Sequence, residues 1–495
     1  MAMRGVKLHW MIGALFAVIF IILMLVRLGL LEKSEEDFSE DLAFRTQTRA
    51  DRDVWMNIYQ EDRKIGYAHR QFFKTLEGYK FLESVFMQIN TMGMVQDIRF
   101  KTEGNLHHSL SLSSFNFELL SSLFRFKVRG VLKDKMLTLF IKSGTGSEQK
   151  IDLPLIKKEI HLPSGILELL SAADLKPGDS RTFHVFDPMT TTERPVKVLV
   201  LDEETISIME HQEEAKKVSV DFMGVSQLAW IGKDGTVLRE KGSLGMRLEQ
   251  VTREEALQRI AVLPGTDLAE FASIPANKFI RNVGRLNELK LKLEGIEVGS
   301  IFLNGGRQSL QGNVLTIRRE SISNHLSYSP AKKMPEDIKP YLKPTTLIQC
   351  DHPEIQAKTK EIVSANDTDI VKANKLVTWV HENIQKKPVL SVPNALEILH
   401  NRVGDCNEHA VLLTALARAA GIPAEVEAGL VYQRGRFYYH AWNILYLGTW
   451  ITADSVMGQL PADVTHLRLV RGAERQIDLV RLIGKARIEI VNTSK

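Results

Sequence analysis

Pro330, Pro335, Pro340 and Pro344 crowd into one short stretch and separate two kinds of hydrophobic pattern. Each proline fixes φ and removes a backbone donor, so neither a helix nor a central strand runs through them. Before them, from about Val54 to Val251, the pattern is strand-like, with FLESVFMQIN, KVLVLD and TISIME as short β-rich runs. Asp234-Gly235, between SQLAW and TVLRE, marks a hairpin, and LKPGDS marks a turn. Phe115–Leu123 and Gly165–Ala173 read as short helices, and 253–272 as a longer one. In ELKLKLEGI, Leu289, Leu291 and Leu293 share one face of a half-buried strand, and VLTIRRE closes a hairpin with it. After the prolines the period becomes helical. Pro353 suits a first helical position, and Ile370, Ala373, Val377, Val380 and Ile384 form a stripe on the next helix.

The N-terminus adds a second constraint. Leu8 to Val26 carries no charge and is long enough to cross a bilayer core. The apolar region of a cleaved signal is shorter and precedes a small-residue cleavage site, which is missing here. The expectation is one uncleaved transmembrane anchor, with a short basic tail inside and the body periplasmic or otherwise extracytoplasmic. The chain then divides into a tail (1–7), an anchor (8–26), a tether (27–50) and a β-rich domain (51–265). A small β segment with the Pro-rich linker (266–345), a C-terminal domain (346–470) and a final strand or tail (471–495) follow. The fold class is α+β: one transmembrane helix, an antiparallel β-rich middle and an α+β C-terminal domain. Net charge is +4 over 495 residues, scattered and without a nucleic-acid-reading motif, so nucleic acid is not an expected partner. Two cysteines, Cys350 and Cys406, do not make a disulfide scaffold.

The chemistry concentrates in VGDCNEHAVLLTALARAAGIPAEV. Asp405 reads as an N-cap, Cys406 opens the helix, and Gly421 with Pro423 ends it. The positive end of the helix dipole favours a thiolate at Cys406. AEVEAGLVYQ and FYYHAWNILYL read as a hairpin, and the chain turns again near Leu447 into TWITADSV. That turn places Asp454 opposite His440, within one residue of register, where a carboxylate fixes an imidazole. Cys406, His440 and Asp454 are thus candidates for nucleophile, base and orienting acid.

These three blocks, GDCNEHAVLLTALARAAGIPAEV, YYHAWNIL and WITADS, resemble the transglutaminase-like superfamily over about residues 350–460. The resemblance implies a papain-like α+β core and thiol acyl chemistry, either hydrolysis of amide bonds or acyl transfer to an amine. It implies catalytic Cys406, His440 and Asp454, a peptide or protein amide substrate, cell-envelope material among the candidates, and no cofactor. Gln385, Ser391, Asn394 or the Cys406 backbone N–H are the candidates for an oxyanion donor. Two other readings stay open. One is a dormant domain serving as an envelope scaffold or binding protein. The other is a metal module drawing on Cys406, His409, His440 and Asp454. His409 otherwise reads as a packing residue, Glu408 as a solvated or capping carboxylate, Trp442 as a shield over the site, Cys350 as packing and Asp351 as a helix-start carboxylate. His107 and His108 read as surface residues.

Overall fold

The computed structural model describes residues 51–494 apart from 122–123, 144–147, 158, 173–174, 189–190, 223–224, 243, 259, 261–266, 297–300, 323–334 and 390–393. The expected anchor and tether lie outside the described residues, among which no helix is long and apolar enough to cross a membrane.

Fourteen strands form one antiparallel sheet. The first eight are β1 (Arg52–Gln60), β2 (Arg63–Thr75), β3 (Gly78–Thr91), β4 (Met94–Leu106), β5 (Leu112–Ser121), β6 (Arg125–Lys133), β7 (Met136–Ser143) and β8 (Gln149–Pro154). The others are β9 (Ser180–Asp187), β10 (Thr192–Ile208), β11 (His211–Phe222), β12 (Val225–Gly232), β13 (Val237–Lys241) and β14 (Met246–Val251). Neighbours in the sheet are neighbours in sequence except at one seam, where β1 pairs with β14 from Trp55↔Val251 to Gln60↔Met246. A sheet this wide curls, splits or flattens. Gly104 faces Phe81 and Gly130 faces Phe115 in register, and a Cβ at either glycine would lie 2.0 Å from the partner ring. Bare backbone there lets the aromatic ring lie flat across the strand. Helix α1 (Ile166–Ala172) buries Ile166, Leu169 and Leu170 in the same core as Phe72, Phe115 and Phe186.

Three local expectations change. Residues from Phe115 belong to strand β5 rather than a helix, because Phe115, Phe117 and Leu119 alternate into the core and both strand edges are paired. KVLVLD and the TISI of TISIME belong to one strand, β10, with a register shift between Val200 and Asp202. Within 253–272 the described helices are only Arg253–Ala256 and Leu268–Ala272, capped by the side chains of Thr252 and Asp267.

A second core runs from Ile274 to Ile490, so residues of 266–345, 346–470 and 471–495 share it. The elements are β15 (Ile274–Pro275), β16 (Glu288–Glu294), β17 (Gln308–Gln311), β18 (Val314–Arg318), β19 (Gln385–Lys386), β20 (Val403–Gly404), β21 (Ala424–Gln433), β22 (Arg436–Tyr446), β23 (Trp450–Ala453), β24 (His466–Arg471) and β25 (Arg487–Ser494). β16 lies between β18 and β25, so the last strand returns to the small sheet of the 266–345 segment. The other sheet runs β15-β22-β21-β24, with β23 also on β22. Helices α2 (Pro353–Ile362), α3 (Asp369–Asn383), α4 (Ala395–Asn401) and the sheet enclose α5 (Cys406–Ala419). Leu412, Leu413 and Leu416 of α5 are fully buried, each stabilising the fold by roughly 1.5–3 kcal/mol. That burial fixes the axis on which Cys406 sits. The two cores also touch: the Gln96 side chain donates to Pro388 O (2.9 Å), upstream of the Cys406 helix.

Candidate active site

The chain reaches Cys406 along β20, which pairs parallel with β19. Asp405 caps α5, its side chain accepting from Asn407 N (2.9 Å), while Glu408 Oε2 accepts from Asp405 N (2.8 Å). This reciprocal box fixes where the helix begins. Glu408 is buried, so it is a capping rather than a solvated carboxylate. Gly404 must be bare, because a Cβ would meet Glu408 Cβ at 2.2 Å.

Cys406 is half-buried at the first position of α5, and its sulfur is hydrogen-bonded by the backbone of Ala441, the residue after His440. The expected acidification is reversed. Burial is the largest cause pushing the thiol well above the usual cysteine range, and the charges of Asp405, Glu408 and Asp454 add to it against the Ala441 hydrogen bond. The residues that cap the helix are anionic and answer its dipole, so the thiol does not gain from it.

β22 and β23 pair Asn443↔Ala453 through Tyr446↔Trp450, so the turn centres on Gly448. Continuing that register, Asp454 falls opposite Trp442 rather than His440. A shift of two residues keeps the same face where a shift of one would invert it. His440 Nε2 accordingly donates to Asp454 Oδ2 at 2.8 Å, and its Nδ1 makes no hydrogen bond to the described residues. Asp454 is fully buried, and its Oδ1 accepts from Val456 N (2.7 Å) and Met457 N (3.0 Å). Burial alone would raise its pKa, but His440 and His466 outweigh that and hold the carboxyl well below the usual range.

His466 went unnoticed in the sequence. It is a lone histidine in THLRLV, without a motif, and β24 brings it to the opposite side of the Asp454 carboxylate. Its Nε2 donates to Asp454 Oδ2 at 2.9 Å, and its Nδ1 faces Asp463, 3.2 Å from the backbone O and 3.4 Å from Oδ1. Burial lowers its pKa, yet the two carboxylates prevail and raise it to about 9. The Trp442 ring, fully buried and edge-on to His466 at 5.2 Å, donates through Nε1 to Glu427 Oε2 (3.2 Å).

The sequence profile of the transglutaminase-like superfamily matches residues 356–455. These residues form a transglutaminase-like domain. Among solved structures, a candidate cysteine protease from Cytophaga hutchinsonii is similar at 16% identity and a TM-score of 0.29, covering 42% of this chain and 86% of that one. The periplasmic domain of TgpA from Pseudomonas aeruginosa, bound to ethylmercury, is similar at 16% identity and a TM-score of 0.24, covering 38% and 93%. A β-barrel-like protein of unknown function from Brucella abortus is similar at 13% identity and a TM-score of 0.31, covering 40% and 94%. No curated protein matches.

Other residues inside and outside the transglutaminase-like domain fall into place around this geometry. His409 Nδ1 lies 2.7 Å from Asp405 O within its own turn, its buried Nε2 has no partner among the described residues, and burial lowers its pKa. Among the described residues, His440, Asp454 and His466 bring ligand-type atoms within 4.8 Å of one another. Both nitrogens of His466 face carboxylates, so both are spent on N–H donors and it keeps no lone pair for a metal. Of the oxyanion candidates, Gln385 is exposed on β19 and Asn394 Oδ1 caps α4, while Ser391 lies outside the described residues. The Cys406 N–H belongs to the first turn of α5, which has no intrahelical acceptor for it. Cys350 is buried, with its thiol against Leu342 O (3.5 Å). His352, not Asp351, caps α2, accepting from Glu354 N (3.3 Å). His107 and His108 are exposed.

Proposed function

We propose that this protein is a membrane-anchored thiol enzyme that hydrolyses or transfers acyl groups of amide substrates, with Cys406 as nucleophile, His440 as base and Asp454 as orienting acid. The observation that carries the reading is the 2.8 Å bond from His440 Nε2 to the buried Asp454, which leaves Nδ1 as the nitrogen for the thiol proton. Cys406 Sγ bonds to the substrate carbonyl carbon as its proton passes to His440 Nδ1. The proton then goes to the leaving amine as the C–N bond breaks, giving a thioester. Water or an amine attacks the thioester, gives its proton to His440 and releases the acyl group, and the thiol is restored. Because burial and carboxylates keep the resting sulfur protonated, deprotonation accompanies attack rather than preceding it. The candidate substrates are peptide or protein amides of the cell envelope, met by a body held outside the cytoplasm.

A second reading, a dormant domain that binds rather than turns over, is favoured by one observation: three carboxylates act against a thiolate at Cys406. Turnover of a diverse peptide-amide library by the full chain, compared with Cys406→Ala, decides between them. Loss of product in the variant is expected, and equal product from both ends the enzyme reading.

A further inference from the structure

We propose that His466 is a positioning residue of the same site: a second imidazole that shares Asp454 Oδ2 with His440 and sets how strongly that carboxylate acts on it. This rests on the triad reading above.

Asp454 Oδ2 receives His440 Nε2 at 2.8 Å from one side and His466 Nε2 at 2.9 Å from the other. The ring centroids of His440 and His466 are 6.0 Å apart. In a simple triad the acid answers one imidazole, and its whole charge favours the imidazolium that forms when the thiol gives up its proton. Here a second ring competes for that charge. His466 is fully buried and cannot swing away. Its far side is held by Asp463, whose Oδ1 is itself fixed by Thr465 N (2.8 Å) and Thr465 Oγ1 (2.6 Å). Trp442 packs edge-on against its face. The result is a buried row, His440–Asp454–His466–Asp463, with carboxylates at alternate places.

The charged surroundings of His466 decide its state. Asp454 follows β23, Asp463 lies in the loop before β24, and His440 is on β22. Arg307 Nη2 donates to His466 O at 3.1 Å, with Glu320 beside it. Across Trp442, Glu427 is paired with Arg468 and Arg471. The ring nitrogens meet the Asp454 carboxylate on one side and the Asp463 backbone O and carboxylate on the other, so His466 carries its proton at neutral pH. A resident imidazolium on Oδ2 draws off part of the charge available to His440 and repels a second imidazolium. The protonated thiol is thereby favoured at rest, in line with the suppressed acidity of Cys406.

The test follows iodoacetamide alkylation of Cys406 in the full chain from pH 5 to 10, read by mass spectrometry of the peptide holding Cys406 so that Cys350 does not contribute. His466→Gln keeps an N–H donor for Asp454 but removes the charge. Its rate profile should move to lower pH by about one unit, a roughly tenfold faster reaction near pH 6. Asp463→Asn weakens the hold on the His466 proton without touching Asp454 and should move the profile the same way by less. It supplies the answer if His466→Gln fails to fold by near-ultraviolet circular dichroism. A uniform change in rate with no shift along pH, or no change, overturns the proposal. His440→Ala is the separate control: if its profile equals that of the wild type, the triad reading fails, whereas a changed His440→Ala profile beside unshifted His466→Gln and Asp463→Asn profiles sinks this inference alone.

Discussion

Alkaline pH should destabilise this fold through one buried ring. His466 has its pKa raised from 6.5 to about 9 by Asp454 and Asp463. A group held protonated in the folded state adds stability that is complete below its unfolded pKa and is lost as pH rises through its folded pKa. The contribution is therefore whole below about pH 6.5 and gone above about pH 9. At 1.36 kcal/mol per unit, the shift corresponds to about 3 kcal/mol. The side chain is fully buried, so solvent does not screen this contribution. The measurement is the urea unfolding free energy at intervals from pH 6 to 10, for the wild type and His466→Gln. Other groups titrate in this range, the cysteines of the unfolded chain among them, so the informative quantity is the difference between the two proteins. That difference should shrink by about 3 kcal/mol across the window, with its steepest change between pH 6.5 and 9. A difference that stays constant with pH would refute the claim that His466 holds a proton between the two carboxylates.

Asp454→Asn should cost about 3–5 kcal/mol of unfolding free energy, because an amide cannot accept from two imidazoles and from Val456 and Val456's neighbour Met457 at once. Denaturant titration checks it, and a loss below about 1 kcal/mol would mean that the carboxylate is not the acceptor at the centre of the row. Gly404→Ala should destabilise by about 1–3 kcal/mol as the new Cβ displaces Glu408 from the cap. An unchanged melting temperature would contradict that contact.

The helix that carries Cys406 was legible because every local signal agreed: an Asp cap, an apolar body and a Gly-Pro stop. The acidity of Cys406 was not, because burial and the charges of the helix's own caps, Asp405 and Glu408, override the dipole. His440 and Asp454 were legible as a same-face pair. The register missed by two residues because the turn centres on Gly448 rather than Leu447, an error that parity forgives. His466 was hidden because its meaning depends on β24 lying beside β21, a contact that no spacing along the chain encodes. Strand character was readable through the first core, except where Phe115–Leu123 offered apolar residues at both periods and pairing decided the outcome. The return of β25 to β16 is likewise a long-range match between short strands, invisible in either alone.

The seam between β1 and β14 has a kinetic meaning. Apart from it, every ladder in the large sheet joins strands that follow one another in the chain, so two stacks can grow by successive nearest-neighbour hairpins. Joining Trp55 to Val251 closes a loop that takes in the whole sheet, and such distant closures dominate the time a β domain needs to fold. Substitutions along that single line should slow maturation more than equally buried substitutions elsewhere in the sheet, and until it closes each stack presents a bare edge to its neighbours in solution.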